Sequence, residues 1–283
     1  MFKKLSLLSL TLALAITAAG CGKNDNNAGN AAASASASAD SGKEVTLKVA
    51  TLIPPMTDIL DIVTPILKEE GINLEKVVLS DNVQPNDALA NKEVDANFFQ
   101  HVPYMEQYNE SKNTNLVAVQ PVYNAIYGAY SKRYKNIEDL PDGATIVIAN
   151  DPSNIGRSLN MLDQAGLITL KEGTGIQSTQ ADIVENPHKF KFQEVDLLML
   201  ARMLDDADLV LMTPAYAKPV GLTPTKDALI KEGKDDSDFA ITLVAREDNK
   251  DSDAIQKLAK AISGPEVKKF LEENYADIAV PAF

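Results

Sequence analysis

The chain has one cysteine, Cys21, in 283 residues, so it can form no internal disulfide and no thiolate metal cluster. It has two histidines, His101 and His188, and no H-x-x-x-H spacing, which removes the usual zinc-hydrolase helix. There is no C-x-x-C, no G-x-S-x-G and no glycine-rich phosphate loop. None of the 40 Asp and Glu residues is marked by spacing as a catalytic pair. No cofactor or metal site is expected, and the reading is that the chain is not an enzyme; a hydrolase is a remote alternative that no motif supports. Basic residues are also in deficit, 27 Lys and Arg against those 40 acids, for a net charge of −13. Nucleic acid and anionic lipid surfaces need a basic face, so neither is an expected partner.

What is present begins with a leader. Lys3 and Lys4 precede an apolar run from Leu5 to about Ala19, too short to span a membrane comfortably and laid out as a secretory signal over residues 1–20. It ends in Ala18-Ala19-Gly20-Cys21, small residues before a cysteine as in a bacterial lipobox, with Ala18 where leucine is usual. A diacylglycerol thioether on Cys21 would anchor the chain to a membrane on its extracytoplasmic face. Removing the signal takes away Lys3 and Lys4 and no acid, which leaves −15. Residues 21–43 are Asn, Ala, Ser, Gly, Asp and Lys with almost nothing apolar beyond alanine, the composition of a flexible tether.

From Val45 the pattern alternates strand-like and helix-like segments in two sets. The first runs through VTLKVATL (45–52), an amphipathic helix at 56–71 with Ile59, Ile62, Val63 and Ile66 on one face, a strand at 73–79, a helix at 84–93, a strand at 94–99, a helix at 102–112 and a long extended stretch at 115–131. The second has strands near 144–150, 189–195 and 207–212, helices near 153–166 and 197–206, and an extended stretch at 238–246. Helices at 253–263 and 265–275 close the chain. Such alternation predicts an α/β fold with parallel sheets covered on both faces. Two sets predict two lobes: 44–130 with 244–283, and 131–243. Ligands of open α/β sheets bind beyond the carboxyl ends of strands, which here read TLIPPM, DNVQPN, ANFFQH, ANDPSN and LMTPAY, and these are expected to line a cleft between the lobes.

Two stretches stand out there. In NFFQHVPYM (97–105), Phe99 and Tyr104 either pack inside the lobe or form flat walls for an apolar ligand side chain, a thioether among them. His101 either bonds a ligand or caps the helix that follows. In NDPSNIGRSL (150–159), Asp151 and Pro152 start a helix, and Arg157 then adds a cation near the positive end of its dipole. Arg157 lies opposite Ile155, Leu159 and Leu162, so it is either solvated or forked onto a ligand carboxylate, with the helix-start N–H groups helping.

DNVQPNDALANKEVDANFFQHVPYM, LPDGATIVIANDPSNIGRSLNMLDQAGLI, DIVENP and SGPEVKKFLEENYADIAVPAF together resemble the methionine-binding lipoproteins (MetQ/NlpA-like), substrate-binding components of ABC importers. The resemblance covers about Val45 to Phe283. It implies a two-lobed, type II periplasmic-binding-protein-like fold with mixed or parallel sheets and a ligand cleft between lobes. It further implies capture of methionine or a relative and delivery to ABC permease and ATPase subunits. By position, Arg157 matches the family's carboxylate-gripping arginine, Phe99 and His101 match pocket residues, and Tyr104 lies in the same motif. The departures are Asn82 for a common tyrosine, Thr213 and Ala215 for asparagines in TPAYA, Ile241 near another asparagine, and Tyr127 in AIYG. Either Thr213, Tyr127, Tyr216 or water substitutes at the polar end of the ligand, with Asn82 also expected at the site, or the ligand is not free methionine. The alternatives are another ligand, a dipeptide or other carboxylate, or a surface interaction or sensor lipoprotein of the same fold.

Overall fold

A computed structural model of the chain describes residues 44–233 and 237–283. The signal, Cys21 and the tether lie outside the described residues. The described part begins with β1 (Val45–Thr51), α1 (Met56–Glu69), β2 (Ile72–Val78), α2 (Gln84–Ala90), β3 (Ala96–His101), α3 (Val102–Lys112), β4 (Leu116–Ala125) and β5 (Gly128–Tyr130). It continues with β6 (Thr145–Ala149), α4 (Pro152–Gln164), β7 (Thr169–Leu170), β8 (Ile183–Glu185), β9 (Lys191–Val195), β10 (Leu209–Met212), α5 (Pro214–Ala217) and β11 (Ile230–Lys231). It ends with β12 (Ala240–Arg246), α6 (Asp253–Ile262), α7 (Pro265–Asn274) and β13 (Ala279–Pro281).

Two sheets organise these elements, one to each lobe. The first has strand order β13-β4-β12-β3-β1-β2 and the second β11-β5-β10-β6-β9. β1 runs parallel to β2 and β3, and β6 runs parallel to β9 and β10, pairings that need crossover connections such as those through α1 and α4. The sheets are mixed rather than wholly parallel. β12 lies antiparallel to both β3 and β4, and β5 antiparallel to β10. The reason is the crossings. The extended stretch 115–131 is two strands, of which β4 belongs to the first sheet and β5 to the second. β12 then returns and pairs wholly within the first sheet. The chain thus changes sheet between Ala125 and Gly128 and again between Lys231 and Ala240.

Strands buried on both faces read as continuous apolar runs. In β6, Ile146 and Ile148 enter one core, with Leu159 and Leu162 of α4, while Val147 and Ala149 enter the other, with Leu200 and Leu204. In β1, Leu47 and Val49 face the core under α1, α6 and α7, and Ala50 faces the core under α2 and α3. On α1 the fully covered positions are Ile59, Leu60, Val63 and Leu67, with Ile62 and Ile66 at the margin. Residues 197–205 form 3-10 turns rather than an α-helix and bury Leu197, Leu200 and Leu204. Among the described residues no helix is long and apolar enough to cross a membrane.

Candidate functional site

β3 is buried at all six positions, and its carboxyl end turns directly into α3. His101 makes that turn. Its backbone is still extended, as is usual at an N-cap, and its Nδ1 accepts the Tyr104 backbone N–H at 3.2 Å, capping α3. The ring proton therefore sits on Nε2, 3.4 Å from Asn154 Oδ1 of α4 in the other lobe. Capping and cleft-lining are not alternatives here, because one imidazole does both. Below it, Asn86, Asn97 and Gln100 form a closed amide network, with Asn86 Nδ2 donating to Gln100 Oε1 at 2.8 Å and Asn97 Nδ2 to Asn86 Oδ1 at 2.8 Å. Every polar side chain of this strand end is thus held before any ligand arrives.

Across the cleft, α4 begins at Asp151. Its Oδ1 accepts from Asn154 N at 3.0 Å and from Ser153 Oγ at 2.7 Å, and both carboxylate oxygens accept Asn154 Nδ2 at 3.0 Å. The helix start proposed as part of a ligand anion site is occupied by this internal carboxylate. Asn154 is fixed by the same bonds and presents Oδ1 to His101.

Between the lobes is a cavity of about 50 Å³. A water needs roughly 10–15 Å³ of such space, so it takes a few heavy atoms, the scale of one amino-acid side chain. The first lobe supplies Leu52, Ile53, Met56, Asn82, Phe99, Gln100, His101, Tyr104, Tyr123, Ala125 and Ile241, and the second supplies Asn154, Leu197, Thr213, Ala215 and Tyr216. No lining residue is charged. Phe99 and Tyr104 stand edge to face at 5.9 Å and make an aromatic corner with His101, 6.2 Å from Tyr104. The Tyr104 hydroxyl donates to the Asn82 carbonyl at 3.0 Å, and the Tyr216 hydroxyl donates across the cleft to Asn82 Oδ1 at 3.1 Å. Burial holds the Tyr104 phenol far above its usual range and pushes Tyr216 up to about 12. Both stay protonated donors.

Six of the eight ligand-site residues expected from sequence therefore meet in one cavity: Asn82, Phe99, His101, Tyr104, Thr213 and Tyr216. The other two, Arg157 and Tyr127, lie behind its wall. Arg157 is 2% exposed, so it is not a solvated arginine. The face of α4 opposite Ile155 and Leu159 is covered too. Arg157 Nε donates to Glu232 Oε1 at 2.7 Å, and Nη2 donates to Glu232 Oε2 and, at 3.0 Å, to the carbonyl of Ala125, itself a cavity residue. Nη1 is buried without a hydrogen-bond partner among the described residues. The guanidinium lies between the rings of Tyr127, at 4.5 Å, and Phe239, at 4.3 Å. Tyr127 is fully buried and shares a 2.9 Å hydrogen bond with Ser158, so it is a shelf for Arg157 rather than a lining residue. Glu232, Asn154, Gln100, Tyr123 and Met56 are among the residues that sequence reasoning missed. Asn154 carried a signal, two residues after the helix-start proline, whereas Glu232 carried none.

Burial, and then the nearby Arg157 charge, push His101 down to about 3. An ordinary histidine titrates near 6.5. Between those values the unfolded chain binds a proton that the folded chain refuses, so stability falls as pH falls below about 6.5. The expected loss approaches about 1.4 kcal/mol per pH unit well below that point. Urea denaturation between pH 4 and 7 should show this slope in wild type and a shallower one in His101→Gln. Equal slopes would contradict the assignment of a neutral buried imidazole.

The NlpA lipoprotein family model matches residues 47–283, nearly all of the described structure. The chain belongs to the NlpA lipoprotein family. It is 39% identical over 224 residues to the D-methionine-binding lipoprotein MetQ of Salmonella typhimurium, which spans 78% of this chain and 82% of that protein. A nutrient-binding protein from Burkholderia cenocepacia, solved bound to methionine, is 37% identical with a TM-score of 0.80, covering 84% of this chain and all of that one. An ABC transporter periplasmic substrate-binding protein from Coxiella burnetii is 35% identical with a TM-score of 0.79, covering 83% of this chain and all of that one. This NlpA-family chain therefore has the two-lobed substrate-binding fold, and its cavity lies where the two lobes meet.

Proposed function

We propose that this chain is the solute-binding lipoprotein of an ABC importer, anchored through Cys21 on the extracytoplasmic face of the membrane and tethered by residues 22–43. It captures methionine or a close relative and passes it to a permease driven by an ATPase, without catalysing a reaction. On this reading the lobes divide near 126–127 and between Lys231 and Ala240, where 130/131 and 243/244 were expected. The observation that carries the reading is an uncharged, aromatic-walled cavity lined from both lobes, with a buried guanidinium behind Ala125. An unbranched thioether suits the Phe99–Tyr104 corner, since sulfur packs well on ring edges. The ligand carboxylate is directed to Arg157 Nη1, and its amine is left to the hydroxyls of Thr213, Tyr123 and Tyr216. Native mass spectrometry of the purified lipoprotein tests this. A bound mass equal to methionine, displaced by added methionine, is expected. A bound dipeptide, or a product of turnover from an added peptide, would overturn it.

A further inference from the structure

The buried fork of Arg157 is taken by the chain itself. Glu232 occupies the Nε–Nη2 edge, with side-chain exposures of 2% for Arg157 and 9% for Glu232. The other donor edge of a guanidinium is shared by Nη1 and Nη2. Here Nη2 reaches Ala125 of the cavity wall on that edge, and Nη1 has no partner among the described residues. A ligand carboxylate arriving from the cavity thus meets one free donor on a cation that Glu232 already pairs from behind, and whose positive charge is weakened rather than absent at His101. Tyr127 and Phe239 cover the two faces of the guanidinium. Glu232 acts on the cavity through Arg157, since a buried pair is weakly screened and the carboxylate offsets most of the guanidinium charge. The other charges nearby have the same sign as Glu232. Asp151 caps α4, Asp196 caps the 3-10 turns beside Leu197, and Asp81 holds the loop before α2. After burial, all three help to hold the Tyr104 phenol above its usual range.

We propose that Glu232 is a specificity-determining residue: by neutralising Arg157 it restricts the cavity to ligands that carry their own positive charge, so a zwitterionic amino acid binds and an amine-less carboxylate of the same shape is rejected. The inference rests on the amino-acid-binding reading above. The test is calorimetric titration of wild type, Glu232→Gln and Glu232→Asp with L-methionine and with 2-hydroxy-4-(methylthio)butanoate, alongside thermal melts. Wild type should prefer methionine. In Glu232→Gln that preference should shrink by about tenfold or more, as expected for removing one charge from a poorly screened site, and Glu232→Asp should retain it. If Glu232→Gln loses stability and affinity for both ligands equally, with the preference unchanged, Glu232 is only a structural partner and the proposal fails. If Glu232→Gln is unfolded alone, the titrations are made with it refolded in a stabilising osmolyte, where the same shrinkage of preference supports the proposal and an unchanged preference overturns it; wild-type binding of the hydroxy acid as tight as that of methionine overturns it outright. Wild type that binds neither ligand overturns the amino-acid reading as well, whereas tight methionine binding with an unchanged preference overturns only the role of Glu232.

Discussion

Arg157→Ala is expected to lose about 3–5 kcal/mol of folding stability, because truncation leaves the Glu232 carboxylate buried and unpaired. At roughly 2–4 °C per kcal/mol for a domain of this size, the melting temperature should fall by about 6–20 °C. The Ala125 carbonyl loses its donor, and Tyr127 and Phe239 lose the cation between their rings. Arg157→Lys keeps the charge but not the planar fork, so it should recover only part of the loss. The pair is coupled, and the double variant Arg157→Ala, Glu232→Ala should be more stable than the sum of the singles predicts by about 1 kcal/mol or more. Chemical denaturation of the four proteins checks this. A single-variant loss below 1 kcal/mol, or strict additivity, would contradict the buried pair. Ligand binding should weaken too, by roughly 2–5 kcal/mol, as for truncation of a desolvated charge-assisted contact. It must be measured at a temperature where the variant remains folded.

Gly156→Ala is the second large effect. Glycine inside a helix costs about 1 kcal/mol relative to alanine, so its presence one residue before Arg157 needs a reason. A methyl group there would stand 2.0 Å from the Ile176 carbonyl oxygen and 2.6 Å from its carbon. These are backbone atoms, which cannot swing aside. The turn at Gly175–Gln177 packs directly on α4, and Asn160 Nδ2 stitches the two together by donating to the Gly156 carbonyl at 2.8 Å, to the Gly175 carbonyl and to Ser178 Oγ at 3.1 Å. Overpacking of this kind costs about 3 kcal/mol or more, which outweighs the helix-propensity gain. Thermal melting should show a drop of several degrees in Gly156→Ala, and an unchanged or raised melting temperature would mean that the turn does not sit where it is placed here.

Elements with a long period were legible from sequence, and contacts between distant segments were not. α3 spans Val102–Lys112 as its pattern predicts, because a proline at the first turn and a capping His101 mark its start. Phe99, His101 and Tyr104 could be placed at a cleft because strand ends are where α/β sheets leave side chains without a neighbouring strand. β7, β8, β11 and β13 are two or three residues long, too short to carry an alternation, and they went unseen. The stretch 115–131 read as one extended segment because β-propensity does not register a change of sheet. Arg157 shows the limit most clearly. Its position on α4 predicted a carboxylate partner, and the partner that the fold supplies, Glu232, is 75 residues away on an unremarkable loop. The helix-start anion site went the same way, to Asp151.

The most direct test of the account is calorimetric titration of the wild-type lipoprotein, freed of copurified ligand, and of Phe99→Ala with L- and D-methionine. The account predicts one-site binding of at least one stereoisomer to wild type. Removing the aromatic wall should cost about 1.5–3 kcal/mol of binding, on the order of 10- to 100-fold in affinity, and since Phe99 also packs in the first lobe's core the melting temperature should fall as well, so binding is measured where the variant remains folded. Wild-type binding left unchanged by Phe99→Ala, or no binding of either stereoisomer, would contradict it.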